Sequence, residues 1–503
     1  MALEMSRQTI EIETGVGGGI SQTLARAETL VPGAGREPIE VLLADAMVAI
    51  ESVEAQTDRV VAEGAVHCQA SYRQGDETTL RAVAAHTRIS QVFDMPGAAP
   101  GMTARACAAV EHVEARYENG HMVFLVTVTL TAQTMKLTPV ELVTKLDGAA
   151  NAQTLTDEIC SCRILAETNA AASLREETTL PAALDARTAL MEWGEVWVES
   201  CQADLGGVRV KGRVNVDTLI SSGLEGRPAA SVRSILDFDQ LAEVPEWLAG
   251  DVCAEAQLVS LTTRVEQGGE KEDSLLVIEA DIAIKVSSLG RDCVTAVTDA
   301  YAVSGRQLEI TGDDYTLCRD IRCVSCTDQV KGTLLLSENA PGVGSVIGVV
   351  VHPNISGWST NSDSAIEGIL EATVLYMPGG SDIVASARSE MPFSVKCPGE
   401  LNDSSMVCLR VLSAEASTLM SDRVELKANI GVTAFTRDEK EMYLVNDISE
   451  GEPLIKKPGL MIVWPTEDDT PWTIGKRYSV PEEYVASLRS QTESPGKAIV
   501  IKM

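Results

Sequence analysis

In the stretch His121–Gln133, HMVFLVTVTLTAQ, every second residue from Met122 to Leu130 is apolar, and Thr127, Thr129 and Thr131 lie on the other face. Such period-2 alternation is typical of a β-strand with one buried face. The same design returns in SLLVIEADIAIKV at 274–286 and in DRVELKANIGVTAF at 422–435. Three long strands of one pattern, far apart in the chain, predict an internal repeat of a β-rich unit.

Landmarks around these strands recur in the same order. Each strand is preceded by a glycine that follows a charged residue, and this glycine is predicted to permit a bend or a close approach of the backbone at a strand start. One proline follows each glycine and another precedes it. The landmarks are Gly64, Gly212 and Gly368, then Pro96, Pro245 and Pro398, with Pro32, Pro181 and Pro341 upstream.

The recurrence predicts a mainly β chain with three repeated domains, each a β-sandwich or open barrel of about six to eight strands. Their predicted limits are 1–138, 155–292 and 318–437, and a small tail domain is predicted at 459–503. Helical spacing of apolar residues near 136–159 favours a helix that connects the first two repeats. Residues 436–459 are predicted to form a linker before the tail.

Composition narrows the functional classes. The 503 residues include 41 Lys and Arg against 73 Asp and Glu, a net charge of −32. So acidic a surface repels nucleic acid and anionic lipid, and neither is an expected partner. No apolar run reaches the roughly 18 residues of a membrane span, and the N-terminal stretch lacks the pattern of a secretory signal. The protein is therefore expected in the cytoplasm, with its twelve cysteines mostly reduced.

Motifs for catalysis are scarce, and no enzymatic activity or cofactor is predicted. None of the five histidines forms an HExxH pair, and His67 and Cys68 are neighbours on a predicted strand, so their side chains point to opposite faces. The weak metal candidate is CRDIRCVSC, in which Cys318, Cys323 and Cys326 have spacing similar to that of plant-type iron–sulfur ligands. A fourth ligand in a matching motif is missing, so buried thiols are the simpler interpretation.

The tail reads as a βααβ unit. KPGLMIVWP gives a short strand, and Thr470 with Pro471 gives an N-cap and a first helical residue. Pro481 is positioned to open a second helix in the same way, and AIVIKM is predicted to form a terminal strand. Trp472 and Tyr478 suit the core of so small a domain better than an exposed aromatic platform.

These features resemble a LysM module, with matches at Asp469, Thr470, Trp472, Ile474, Tyr478, Val480, Pro495, Gly496, Ile499 and Ile501. LysM modules bind N-acetylglucosamine chains in a groove between two loops. The resemblance implies binding residues in the loops Asp468, Asp469, Thr470, Pro471, Trp472 and Gln491, Thr492, Glu493, Ser494. Asp468 and Pro471 stand where the family usually has Gly and Leu, which moves the expected ligand from a sugar towards a protein.

The first repeat supplies a second resemblance. EGAVHCQASYRQGDETTLRAV at 63–83 and ISQVFDMPGA at 89–98 are similar to the SPOCS domain of SipL-type spore-coat proteins. Several such β-rich domains followed by one LysM module is the architecture of that family.

The two resemblances together imply a non-enzymatic scaffold of spore-coat assembly. Its LysM-like tail would dock a spore-coat morphogenetic ATPase or another coat protein at the forespore surface, in the mother-cell cytoplasm. The alternative is an envelope protein that binds peptidoglycan through the tail. Self-association through exposed β-edges is a further expectation.

Overall fold

The computed structural model describes residues 3–33, 37–147, 151–243, 251–268, 272–337, 339–360, 363–456, 459–466, 468–490 and 498–502. Its first six strands are β1 (Glu4–Leu30), β2 (Ile39–Gln56), β3 (Arg59–Gln74), β4 (Arg81–Asp94), β5 (Thr103–Glu118) and β6 (His121–Asp147). They form two antiparallel three-stranded sheets, in the orders β1-β6-β5 and β2-β3-β4. One hydrophobic core draws side chains from both sheets, as in a sandwich.

The same pairing recurs twice further along the chain. The next six strands are β7 (Ala152–Leu180), β8 (Ala186–Asp204), β9 (Gly207–Leu224), β10 (Arg227–Glu243), β11 (Asp251–Glu266) and β12 (Ser274–Ala302). The third set is β13 (Arg306–Leu335), β14 (Val343–Trp358), β15 (Asp363–Pro378), β16 (Ala385–Pro398), β17 (Met406–Met420) and β18 (Arg423–Pro453). Their sheets are β7-β12-β11 with β8-β9-β10, and β13-β18-β17 with β14-β15-β16. We call β1–β6, β7–β12 and β13–β18 the first, second and third units; the prediction of a mainly β chain is confirmed.

The three alternating stretches at 121–133, 274–286 and 422–435 belong to the central strands β6, β12 and β18 of the larger sheets. Their inward faces are buried throughout the described part, which satisfies the period-2 pattern. In the first unit the inward residues Met122, Phe124, Val126, Val128 and Leu130 are fully buried. A strand with a partner on each side and one face on the core is thus the element that the sequence specifies most strongly.

The predicted close approach at the three glycines is present, but it lies within the strands rather than at their starts. Gly64, Gly212 and Gly368 are each the sixth residue of their strands β3, β9 and β15. A Cβ atom at these positions would lie 2.4, 2.1 and 2.1 Å from a backbone oxygen of the neighbouring strand. Each glycine also lies beside a register shift in that neighbour. Glycine is therefore required where the bulged strand comes close.

Two predictions on the connections are wrong. The stretch 136–159, expected as a helix, contains the end of β6 and the start of β7, with 148–150 outside the described residues. The stretch 436–453, expected as linker, is the end of β18. These strand ends are covered by other units, so buried residues appear on both faces and strict alternation is lost. Pro245 also lies outside the described residues.

The ends of the long strands pack against one another. β6, β12 and β18 are in mutual contact. Equivalent residues of the three units share the same clusters: Leu142, Ala296 and Leu444 in one, and Val143, Val297 and Val445 in the next. Three equivalent positions that meet at one place indicate an approximate threefold arrangement of the units. The ends of β6, β12 and β18 are each buried only because the other two are present.

A buried ion pair crosses this junction. Arg437 of β18 pairs with Glu13 of β1, and the two side chains are 3% and 5% exposed. Arg437 Nη2 also donates to the backbone oxygen of Glu13 at 2.6 Å, and Ile164 N of β7 donates to Glu13 Oε2 at 3.1 Å. One carboxylate therefore accepts hydrogen bonds from the second and the third unit.

The tail has the order β19 (Leu460–Val463), α1 (Pro471–Tyr478), α2 (Glu482–Ser490) and β20 (Ile499–Lys502). β19 and β20 pair antiparallel, and Val463, Ile474, Val480, Val485, Ile499 and Ile501 form its core. Thr470 caps α1 through a reciprocal capping box with Thr473, and Pro471 occupies the first turn. Neither described helix is long and apolar enough to cross a membrane. The relation of this tail to LysM modules stays a prediction.

We expect Arg437→Met to lower the free energy of unfolding by about 3–5 kcal/mol, because it leaves the Glu13 carboxylate buried without its cation. Urea denaturation measures the effect. The matched control is Arg7→Met, since Arg7 joins the same two units through Asp447 but both side chains are exposed, at 40% and 49%. That change should cost less than about 1 kcal/mol. Equal losses in the two variants would contradict the role given to burial.

We expect Gly368→Ala to destabilise the third unit by about 1–3 kcal/mol, the usual cost of overpacking. The added methyl group would lie 2.1 Å from the Asn354 oxygen and 2.7 Å from a ring carbon of Phe393. Gly357→Ala, on the neighbouring strand, is the control because no atom lies within 4 Å of the position that its added Cβ would occupy. Thermal unfolding should show a lower midpoint for the first variant, whereas similar midpoints would contradict the crowding argument.

Candidate functional site

The first predicted binding loop is held together by Asp469. Its carboxylate accepts hydrogen bonds from Thr466 N at 3.0 Å and Thr466 Oγ1 at 3.1 Å, and from Arg477 at 2.7 Å. The backbone hydrogen bond from Thr466, with help from Arg477, lowers the pKa of Asp469. Asp468 and Thr470 are exposed beside it. Asp469 therefore shapes the loop, while its two neighbours face solvent.

Trp472 is directed at the second unit. Its Nε1 donates to Asp299 Oδ2 of β12 at 2.8 Å, and its ring meets Tyr301 edge-on with centroids 4.9 Å apart. Tyr301 Oη donates to Val480 O at 2.9 Å, and Lys476 Nζ lies 2.6 Å from Asp299 Oδ1. Only 7% of Trp472 is exposed. Helix α1 is thus fastened to the end of β12 through its predicted ligand-binding tryptophan.

The second predicted loop, Gln491, Thr492, Glu493 and Ser494, lies outside the described residues, as do Pro495 and Gly496. Pro471 is half-buried at the start of α1, and Tyr478 packs against the tail core. From the sequence, Trp472 and Tyr478 were both predicted to lie in the core of the tail. The structure places Trp472 in an interface between the tail and the second unit instead.

The tail also presents an apolar surface that sequence reasoning missed. Strand alternation puts Leu460 and Ile462 of β19 on the outer face with Val500 of β20, and they are 73%, 53% and 47% exposed. Trp464, two residues beyond Ile462, is 67% exposed. Because every residue of LMIVW is apolar, the sequence did not show which of these side chains would be buried in the tail core and which would be exposed. We call Leu460, Ile462, Trp464 and Val500 the outer tail face.

The three cysteines of the weak metal candidate point to different neighbours. The thiol of Cys326 donates to the backbone oxygen of Lys396 at 3.6 Å. Cys318 donates instead to the Asp320 oxygen at 3.4 Å. Among the described residues, the group whose ligand atoms converge is Glu158, Cys160 and Cys293, and there the two sulfurs form a disulfide between β7 and β12. The structure thus does not bring the predicted sulfur ligands together.

A cavity of about 1220 Å³ lies between the three units. Equivalent strands line it: β2 and β5 from the first unit, β8 and β11 from the second, β14 and β17 from the third. Ionisable side chains line it, among them Asp45, which is buried, and Glu192, Glu195, His352 and Arg410, which are partly buried. Their positions were not predictable from the sequence, where single acidic residues carry no signal in so acidic a chain.

Burial governs the charge of these groups. It raises the pKa of Asp45 to about 7 and that of Glu192 to about 7. It also raises the pKa of Glu195, although Arg410 lies 3.2 Å away and opposes the change. It lowers the pKa of His352 to about 4. His352 Nε2 is 3.3 Å from Asp45 Oδ1 without a hydrogen bond between them, which fits two groups that tend to be neutral.

The fold is thus that of a mainly β protein in which one six-stranded pattern recurs around a cavity, with a small mixed tail. Residues 39–118 match the model of the family described as SipL, SPOCS domain. The matched range covers β2 to β5, which includes the whole smaller sheet of the first unit. No curated protein and no solved structure matches the chain. The match supports a SipL-type relationship through the first unit.

We expect Asp45→Asn to reduce the loss of stability between pH 5 and pH 8. The folded-state pKa of about 7 lies above the ordinary 3.8, so this group's contribution is complete below pH 3.8 and is lost as the pH rises through 7. The difference between 3.8 and about 7 corresponds to roughly 4 kcal/mol. Glu192 acts in the same direction and remains in the variant.

Urea denaturation at several pH values measures this effect, with the exposed Asp237→Asn as the matched control. His352 works in the opposite sense: its contribution is present above pH 6.5 and lost as the pH falls through about 4. His352 is present in both proteins, so its contribution cancels in the difference between the two pH curves. Parallel pH curves for wild type and Asp45→Asn would contradict the assignment.

Proposed function

We propose that this protein is a non-enzymatic scaffold in a sporulation-related assembly, and that its tail docks a protein partner. The match of residues 39–118 to the SPOCS-domain model supports the sporulation setting. The partner class that fits the resemblance is a spore-coat morphogenetic ATPase or another coat protein at the forespore surface. The expected compartment is the mother-cell cytoplasm.

The outer tail face is the observation that carries the docking proposal. Leu460, Ile462 and Val500 stand exposed on one side of a two-stranded sheet whose other side is buried against the tail core, and Trp464 is exposed directly after the end of β19. Exposed apolar residues that cluster in this way mark interaction surfaces, and aromatic residues such as Trp464 are typical anchors of protein interfaces. The acidic surface of the chain favours a partner with basic residues around the contact.

The contacts of Trp472 favour a protein partner over a sugar. Its indole donates to Asp299 and packs on Tyr301. A sugar that used the ring as a platform would have to replace those contacts, so α1 would need to leave the second unit. The outer tail face is open while α1 stays in place.

The test compares deletion of 459–503 with the substitution Ile462→Glu in sporulating cells. Both should abolish recruitment to the forespore surface, since a charge in the centre of an apolar contact removes its favourable burial. Leu205→Glu is the control, because Leu205 is 94% exposed in the turn between β8 and β9. Normal recruitment of the Ile462→Glu protein would contradict the docking surface.

A pelleting assay with insoluble peptidoglycan separates the sugar-binding alternative. We expect no retention that depends on 459–503. Retention that survives Ile462→Glu and is lost on deletion would favour a carbohydrate-binding envelope protein. Circular dichroism of each variant checks that the β-units remain folded.

A further inference from the structure

A disulfide bond joins two strands of the second unit that run into the junction between the units. Cys160 of β7 lies directly opposite Cys293 of β12 in the antiparallel pairing, and their sulfur atoms are bonded at 2.10 Å. Their Cα atoms are 4.2 Å apart, which is close to the spacing of a pair without hydrogen bonds between its backbones. The register of the strands thus brings together two thiols that are 133 positions apart in the sequence.

The bond lies at the edge of the junction. The residues next to it, Ile159 and Val294, are buried in the apolar cluster to which all three units contribute. Three residues further along β7, Arg163 forms ion pairs with Asp292 of β12 and with Glu11 of β1, both at 2.8 Å. A covalent link at this point therefore holds together the two strands that carry a contact with the first unit.

The two bonded sulfurs differ in their access to solvent. Cys293 is exposed and Cys160 is half-buried, so a reagent in solution reaches Cys293 first. Cys162, two residues further along β7, has Arg291 rather than a cysteine opposite it, and its thiol donates to the Arg319 oxygen at 3.1 Å. The same strand thus carries one bonded and one free cysteine in similar surroundings.

We propose that Cys160 and Cys293 form a reversible thiol–disulfide pair, which dithiol reductants open at the exposed sulfur and whose oxidised state tightens the junction. One thiolate of the reductant attacks the Cys293 sulfur, and the S–S electron pair leaves with Cys160, which takes up a proton. The second thiol of the reductant loses its proton and attacks the mixed disulfide. Cys293 then leaves as a thiolate and is protonated, and the dithiol becomes a cyclic disulfide.

The reverse reaction closes the bond. Glutathione disulfide accepts the two electrons of the cysteine pair and leaves as two glutathione thiols, again through a mixed disulfide. Most thiols in a cytoplasmic setting, which is the expected one, are kept reduced. The pair would therefore close when the thiol–disulfide balance around the protein becomes more oxidising.

The oxidised state should stabilise the second unit. In the chain-entropy account, a cross-link restricts the unfolded chain more as the loop that it closes becomes longer. The loop closed here contains β8 to β11, and with them the whole smaller sheet of the second unit. Without the bond, β7 and β12 are held by hydrogen bonds and packing, so their ends should open more readily.

The test uses the purified full-length protein without denaturant, treated either with dithiothreitol or with glutathione disulfide. Remaining thiols are alkylated and linked peptides are identified by mass spectrometry. We expect a linkage between Cys160 and Cys293 after oxidation, and alkylation of both residues after reduction. The urea midpoint of the oxidised form should be higher by about 1 M. Hydrogen exchange at 152–165 and 287–302 should be slower in the oxidised form.

Cys293→Ser should abolish the linkage and give the urea midpoint of the reduced protein after either treatment. The matched control is Cys162→Ser, which should keep both the linkage and the shift in midpoint, because the thiol of Cys162 is not part of the bond. The proposal is overturned if glutathione disulfide does not restore the linkage, or if dithiothreitol opens the bond only in denaturant. Equal midpoints for the two forms would also overturn it. These readouts do not involve recruitment, so they hold whether or not the tail docks a partner.

Discussion

Glu13 lies where the three units meet, and it accepts a hydrogen bond from a different unit on each side. Arg437 supplies the charge and Ile164 supplies a backbone N–H. A carboxylate and a guanidinium withdrawn from water are tolerated only when each has its partner in place. The junction therefore admits few alternative arrangements: if one unit shifts, a buried charge is left alone. Further along the same strands, the apolar ends of β6, β12 and β18, with Val143, Val297 and Val445, pack together and also restrict how the units can be arranged.

This constraint explains the length of the strands. A six-stranded sandwich alone would bury only the first halves of β6, β12 and β18, and their ends would be exposed apolar ribbons. Three copies around one centre cover those ends mutually. The arrangement also leaves a cavity, because equivalent strands of the smaller sheets surround the centre without filling it. Carboxylates that face the cavity are only partly solvated, which is why Asp45 and Glu192 have raised pKa values.

The position of the tail is in turn set by its contacts with the second unit. Asp299 at the end of β12 receives both Trp472 and Lys476, so α1 has a fixed place beside the second unit. Gly475 belongs to the same contact, because a Cβ there would lie 2.4 Å from Tyr301 Oη. With α1 held in this way, the sheet of the tail turns its apolar outer face to solvent. The proposed docking surface is therefore a consequence of how the tail is attached, as much as of the tail itself.

The sequence by itself determined the repeated β-strands, because alternation and the glycines at 64, 212 and 368 are local requirements of a bulged, half-buried strand. It also determined the helix starts of the tail, since Thr470 and Pro471 act within one turn. It misjudged 136–159 and 436–453, where burial by other units removes the alternation, and it could not pair Trp472 with Asp299. Only the tertiary structure decided the junction, the cavity and the outer tail face, because these depend on contacts between residues that no local pattern connects.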